Sequence, residues 1–134
     1  DQAIWLVPAS RMKAERPHRV PLSTPAFQIL ERCKERNHSP WVFPGQGRRA
    51  PITNMVMPIV LRRMRRKDIT VHGFRSSFRD WASETTNFPR EVAEAALAHV
   101  IGDKAEAAYR RGDLFEKRRR LMQAWANYCS ESAV

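Results

Sequence analysis

The chain has 134 residues and carries 24 Lys plus Arg against 14 Asp plus Glu, a formal charge of +10. That length suits one domain able to bury a core without disulfides or metal, and a 43% hydrophobic share argues against a disordered basic tail. The longest apolar stretch, Met55 to Leu61, contains Pro58 and falls far short of the roughly 20 residues a membrane helix needs, so membrane spanning is excluded.

Cys33 and Cys129 are the only cysteines and form no C-x-x-C pair. This speaks against a zinc finger or disulfide framework and for a reducing cytoplasm. No basic, then apolar, leader opens the chain, and its start on Asp1 rather than Met suggests a processed product or a fragment. The excess charge is mostly arginine, 19 of the 24 basic residues. Arginine's planar fork matches phosphate oxygens better than lysine's point charge. From Arg48 to Arg79 there are nine basic residues and a single acid, Asp68. Nucleic-acid backbone binding explains that run better than a merely solvated face, with Arg48, Arg49, Arg62, Arg63 and Arg79 as its candidates.

Residues 4–7, Ile-Trp-Leu-Val, read as a strand ended by Pro8, and Arg19 to Leu22 as a second. The polar connection between them, which holds Lys13, makes the pair a hairpin with a long tip. Thr24 and Pro25 predict an N-cap and first position for a helix with the stripe Phe27, Leu30, Cys33, ending near Asn37. Trp41 to Phe43 suggest a small edge strand before the Gly45–Arg49 loop. Thr53 is the expected cap of a helix bearing Met55, Val56, Ile59, Val60 and Met64, with Pro58 awkward inside it.

A further helix is expected from Val71 to about Glu84, with Phe74, Phe78, Trp81 and Ala82 on one side, and Pro89 opens a short one running toward His99. Asp103 with Glu106, and then Asp113 with Glu116, read as helix starts separated by the stop at Gly112. The last helix shows an apolar face of Leu114, Leu121, Met122, Trp125 and Cys129, which needs cover from its own core or from another surface. The expected fold is mainly α with a small antiparallel β-hairpin, an α+β domain.

Five residues could carry chemistry: Lys13, His72, Arg75, His99 and Tyr109. His72 and Arg75 stand three apart and share a helix face that Arg79 extends by a turn. That combination suits a phosphodiester, because Arg holds non-bridging oxygens while His exchanges protons near neutral pH. Taken singly, each residue has an ordinary alternative: a solvated His beside a solvated Arg, a His closing a helix, a packed Tyr.

Their order carries more than any member. Lys13, then His72-Gly73-Phe74-Arg75, Leu97-Ala98-His99 and Ala107-Ala108-Tyr109, together with Met12-Lys13, His18–Ser23 and Trp41–Pro44, resembles the catalytic domain of the tyrosine recombinases. Within them it is most similar to prophage integrases, and the likeness covers essentially the whole chain. The resemblance implies site-specific DNA recombination through a 3′-phosphotyrosyl intermediate. It implies Tyr109 as nucleophile, Lys13 as general acid for the leaving 5′ oxygen, Arg75 as a fork for the phosphate oxygens, His72 as an acid/base group or phosphate donor, and His99 as a hydrogen-bond donor to the same phosphate.

By the same resemblance no cofactor or metal is required, and the sequence shows no carboxylate cluster suited to two metal ions. The implied partners are double-stranded attachment sites, other integrase protomers in a tetramer on DNA, and accessory DNA-bending or excision factors. The family also uses an arginine on a helix ahead of these strands and an N-terminal DNA-clamping domain. Neither matches a segment here, so residues 1–134 are expected to be the C-terminal part of the catalytic domain. The competing reading is a non-catalytic DNA-binding module, which has no need of the Lys, His-x-x-Arg, His, Tyr order.

Overall fold

A computed structural model of the chain describes residues 3–36, 38–99 and 112–131. Strands β1 (Ile4–Val7) and β2 (His18–Pro21) pair antiparallel, with Trp5 opposite Val20 and Val7 opposite His18. Branched and aromatic residues favour the extended chain, and Pro8, which has no N–H to donate, ends the first strand. The ladder is prolonged by the Leu22 amide, which donates to the Ala3 carbonyl at 3.0 Å. The connection opens with a single 3₁₀ turn, Ala9–Arg11, and Lys13 follows on an exposed turn.

Helix α1 (Thr24–Arg36) begins one residue earlier than expected. Ser23, not Thr24, provides the first helical acceptor, taking the Phe27 amide at 2.9 Å. The orphan amide of Thr24 is met from across the fold by Gln123 Oε1 at 2.9 Å. None of the α1 stripe is fully buried, and Phe27 stays 40% exposed.

Trp41 to Phe43 form bends rather than the expected strand, and a single bridge, Pro44 to Pro51, closes the following loop. Three prolines, Pro40, Pro44 and Pro51, leave too few donors for a ladder. Gly45 is needed there, since a Cβ would stand 3.0 Å from the Pro51 carbonyl oxygen and 3.2 Å from that of Ala50. Helix α2 (Val56–Arg63) starts late, and Pro58 lies in its first turn, where a missing N–H costs nothing. The Thr53 side chain does not cap it. Only the Thr53 carbonyl takes part, accepting from Val56 N–H at 3.1 Å.

Helices α3 (Gly73–Thr85), α4 (Arg90–Ala96) and α5 (Phe115–Glu131) build the core. Phe78, Trp81 and Ala82 of α3 meet Val92 and Ala93 of α4, Leu97, and Leu121 of α5. Val92 and Leu121 are wholly enclosed. Trp125 stands edge-on to Phe78 at 5.5 Å and tilted against Trp81 at 5.0 Å, and Tyr128 stacks on Trp125. Helix α5 therefore closes the core of its own chain, while Cys129 remains on the surface. The architecture is mostly helical with one two-stranded antiparallel sheet, the α+β arrangement expected. The helix start expected at Asp103 and Glu106, and Tyr109, lie outside the described residues.

Candidate functional site

Helix α3 presents His72 at its N-cap position and Arg75 and Arg79 on the turns that follow. Its start is set locally: Thr70 takes the Gly73 amide through both its side-chain oxygen and its carbonyl, each at 3.0 Å. Phe78, Trp81 and Ala82 turn toward the core, which leaves His72, Arg75 and Arg79 on the outer side.

Helix α4 ends in a turn that aims His99. The His99 amide donates back to the Glu94 carbonyl at 2.9 Å, and the Ala98 amide to the Ala95 carbonyl at 3.1 Å. This is a Schellman termination, and it forces Ala98 to φ 53, a left-handed conformation that glycine usually fills. The Leu-Ala-His segment is thus a helix stop that carries a functional candidate, as the sequence suggested for His99.

Arg75 reaches across to this stop and donates through Nη2 to the Leu97 carbonyl. His99 Nδ1 lies 2.5 Å from Glu94 Oε2, and Arg79 Nε donates to Glu94 Oε1 at 2.8 Å. Arg90 Nε stands farther off, 3.9 Å from the same Oε1. Glu94 is the buried hub, its side chain 11% exposed, while those of His99 and Arg79 are 41% and 48% exposed. The hydrogen bond from His99 first, and that from Arg79 behind it, hold the Glu94 carboxyl below its ordinary range against the opposing effect of burial.

The structure thus brings Arg75, His99 and Arg79 together around Glu94 and Leu97. Arg79, a candidate phosphate contact, already shares a carboxylate. Among the described residues no hydrogen bond joins the Lys13 or His72 side chain to this group, and both residues are exposed. Arg48, Arg49, Arg62 and Arg63 are exposed as well, the first two on the loop and the others at the end of α2. Arg66 of the same run is engaged with Asp68 at 2.7 Å and holds that carboxyl down at about 2. No group of three or more His, Cys, Asp or Glu suited to a metal occurs among the described residues.

Sequence reasoning missed Glu94, which reads as one more surface acid on a short helix, missed Arg118 altogether, and saw Asp113 only as a helix start. Arg19 on β2 forks onto both Asp113 carboxylate oxygens at 2.9 Å, and Arg118, its side chain 1% exposed, adds a third bond to that carboxylate. This clamp fixes the hairpin that bears Lys13 against the start of α5. A pairing across 94 positions, such as Arg19 with Asp113, leaves no local signal.

Over nearly its whole length the chain is similar to phage and prophage integrases. Prophage integrase IntA of Escherichia coli (strain K12) is 39% identical over 126 residues, which cover 92% of this chain and 30% of that protein. Prophage integrase IntZ of the same organism is 33% identical over 129 residues, 95% of this chain and 32% of its own. The integrase of Shigella phage Sf6 is 28% identical over 135 residues, 98% and 35% respectively. The chain therefore spans about a third of the length of these curated relatives. No family model and no solved structure matches it.

Proposed function

We propose that this chain, a member of the phage and prophage integrase family over the part of those proteins that it spans, supplies Tyr109, through which the whole protein cuts and rejoins DNA at specific sites, and that residues 1–134 alone are inactive. In this reading the Tyr109 oxygen, giving up its proton to His72, attacks the scissile phosphorus and forms a 3′-phosphotyrosyl bond. The 5′ oxygen leaves as a hydroxyl, taking its proton from Lys13. Arg75 supplies a fork for the non-bridging oxygens as charge grows on them. His72 and His99 add a proton-exchanging group and a donor to the same phosphate. A second hydroxyl reverses the step and joins the new partner strand.

The observation that carries this reading is that Arg75 donates to the Leu97 carbonyl, two residues before His99, so that both stand at the stop of α4 where Glu94 holds the His99 ring. A DNA-binding module without chemistry needs no such convergence of a guanidinium and an imidazole. The exposed arginines Arg48, Arg49, Arg62 and Arg63 track the flanking backbone of double-stranded attachment sites. The whole protein acts as a tetramer on DNA with accessory bending or excision factors, in the cytoplasm of a bacterial host. No helix among the described residues is long and apolar enough to cross a membrane.

The test is covalent trapping on a nicked attachment-site duplex by the full-length protein. Tyr109→Phe removes one oxygen and abolishes the trapped complex while DNA binding persists. Tyr128→Phe serves as control, because it removes the other phenolic oxygen of the chain while keeping the ring that stacks on Trp125. Recovery of DNA on Tyr128, or trapping undiminished in Tyr109→Phe, refutes the assignment.

A further inference from the structure

We infer that Glu94 is a positioning residue that dictates which ring nitrogen of His99 carries the proton, committing Nδ1–H to the carboxylate and turning Nε2 outward. The inference deepens the reading of His99 as a phosphate ligand and rests on it for its catalytic meaning.

The geometry leaves little freedom. Glu94 Oε1 is taken by Arg79, whose guanidinium can only donate, and is faced more distantly by Arg90. A carboxylate kept ionised by such a partner is an acceptor at both oxygens. Its Oε2, 2.5 Å from His99 Nδ1, therefore requires the proton to sit on the imidazole. The backbone bond from the His99 amide to the Glu94 carbonyl fixes the ring's base beside the same residue, so side chain and main chain agree on one orientation. The neutral ring thereby adopts the Nδ1–H form, opposite to the one histidine prefers in water. A phosphate arriving at Nε2 meets a donor only when the ring holds both protons, and Glu94 balances that charge. The Arg79 guanidinium consequently acts through the carboxylate, polarising it, as well as by its own exposed half.

The test reads the proton directly by nitrogen-15 NMR of the histidine rings in the 134-residue chain, without DNA. His99→Gln assigns the resonance among the four histidines. At a pH where the ring is neutral, the wild-type His99 signal is expected to show a protonated Nδ1 and a bare Nε2. Glu94→Gln is nearly isosteric and should invert that pattern. Arg79 claims the amide oxygen, so the amide NH₂ faces Nδ1 and the proton moves to Nε2. A wild-type ring protonated on Nε2, or a folded Glu94→Gln chain that keeps Nδ1–H, overturns the inference. Should Glu94→Gln not fold, the wild-type spectrum alone decides it. Because no DNA chemistry enters the readout, failure here leaves the Tyr109 reading standing, and failure of covalent trapping leaves the proton's position unaffected.

Discussion

Arg118 donates through Nη1 to the backbone carbonyl of Arg19 at 2.6 Å, joining residues 99 positions apart in the chain. The same guanidinium donates to the Asp113 carbonyl at 2.7 Å and to the Asp113 carboxylate at 2.9 Å. The Phe115 ring lies 4.4 Å from the Arg19 guanidinium and 5.6 Å from that of Arg118. One side chain thus ties β2 to α5 and satisfies main-chain and side-chain acceptors at once. Losing it should cost about 3 kcal/mol, the lower end of what breaking a buried ion pair costs, because Asp113 keeps Arg19 as a partner. Urea unfolding of Arg118→Met is the measurement. A midpoint within error of the wild type would mean the clamp adds no stability.

His18 should titrate below its ordinary value of 6.5, because burial disfavours its charged form and the nearby Arg118 cation adds to that. The unfolded chain then binds the proton more readily than the folded one. Stability is full above about 6.5 and declines as pH falls through that value toward the lower folded one. Proton NMR of the His18 ring should show the depressed midpoint, and Arg118→Met should move it upward. A midpoint at or above 6.5 in the wild type contradicts the burial argument.

Glu94 has the opposite chemistry and the same sign with pH. Its folded pKa lies below the ordinary 4.5, so its stabilisation is present above that value and is lost as pH falls through the folded one. Asp113 adds to the same acid-side loss, held down first by the Arg19 hydrogen bond. Glu94→Gln should cost about 1–3 kcal/mol at neutral pH, the scale of hydrogen bonds to a charged group. It should also flatten the fall in unfolding midpoint below about pH 4.5, measured by urea titrations at successive pH values. A variant as acid-sensitive as the wild type would remove Glu94 from that role.

Binding to duplex DNA should weaken steeply with salt. If about five phosphates are neutralised, log K falls with log[salt] at a slope near −4.5. Arg62→Ala and Arg63→Ala should each reduce that slope by about 0.9, since both side chains are exposed on α2. Arg66→Ala should change it less, because Arg66 already spends its charge on Asp68. Fluorescence anisotropy across a salt series measures all four proteins. A flat salt response would end the phosphate-backbone reading.

Lys13→Ala in the full-length protein should slow cleavage of an ordinary phosphodiester far more than of one with sulfur at the 5′ bridging position. A thiolate leaves without a proton, so a missing general acid ceases to matter. Arg75→Ala should stay defective on both substrates, losing about 3–4 kcal/mol of transition-state stabilisation, the scale of one well-placed oxyanion donor. It also releases the Leu97 carbonyl that Arg75 engages. Equal rescue of both variants by sulfur, or rescue of neither, would take the general-acid role from Lys13.

Much of the fold was legible because its signals are local. Branched residues before Pro8, the Thr24-Pro25 pair and the spacing of Phe78, Trp81 and Ala82 each act within one or two turns, and the elements formed within a few residues of expectation. The Trp41–Phe43 strand does not form for an equally local reason, the donors withheld by the surrounding prolines. Whether Leu121 and Trp125 faced their own core or another protomer was undecided by periodicity, because an apolar stripe specifies that it is covered and not by what. The same holds for the site. Sequence order selected Arg75 and His99, since each is a recognisable residue type at a recognisable spacing. Only the packing of α3 on α4 brought Arg75 to the Leu97 carbonyl and made Glu94 the shared partner of His99 and Arg79. A buried carboxylate takes its meaning from the donors that surround it, and those arrive from elements whose approach is decided by the whole core rather than by any stretch of chain.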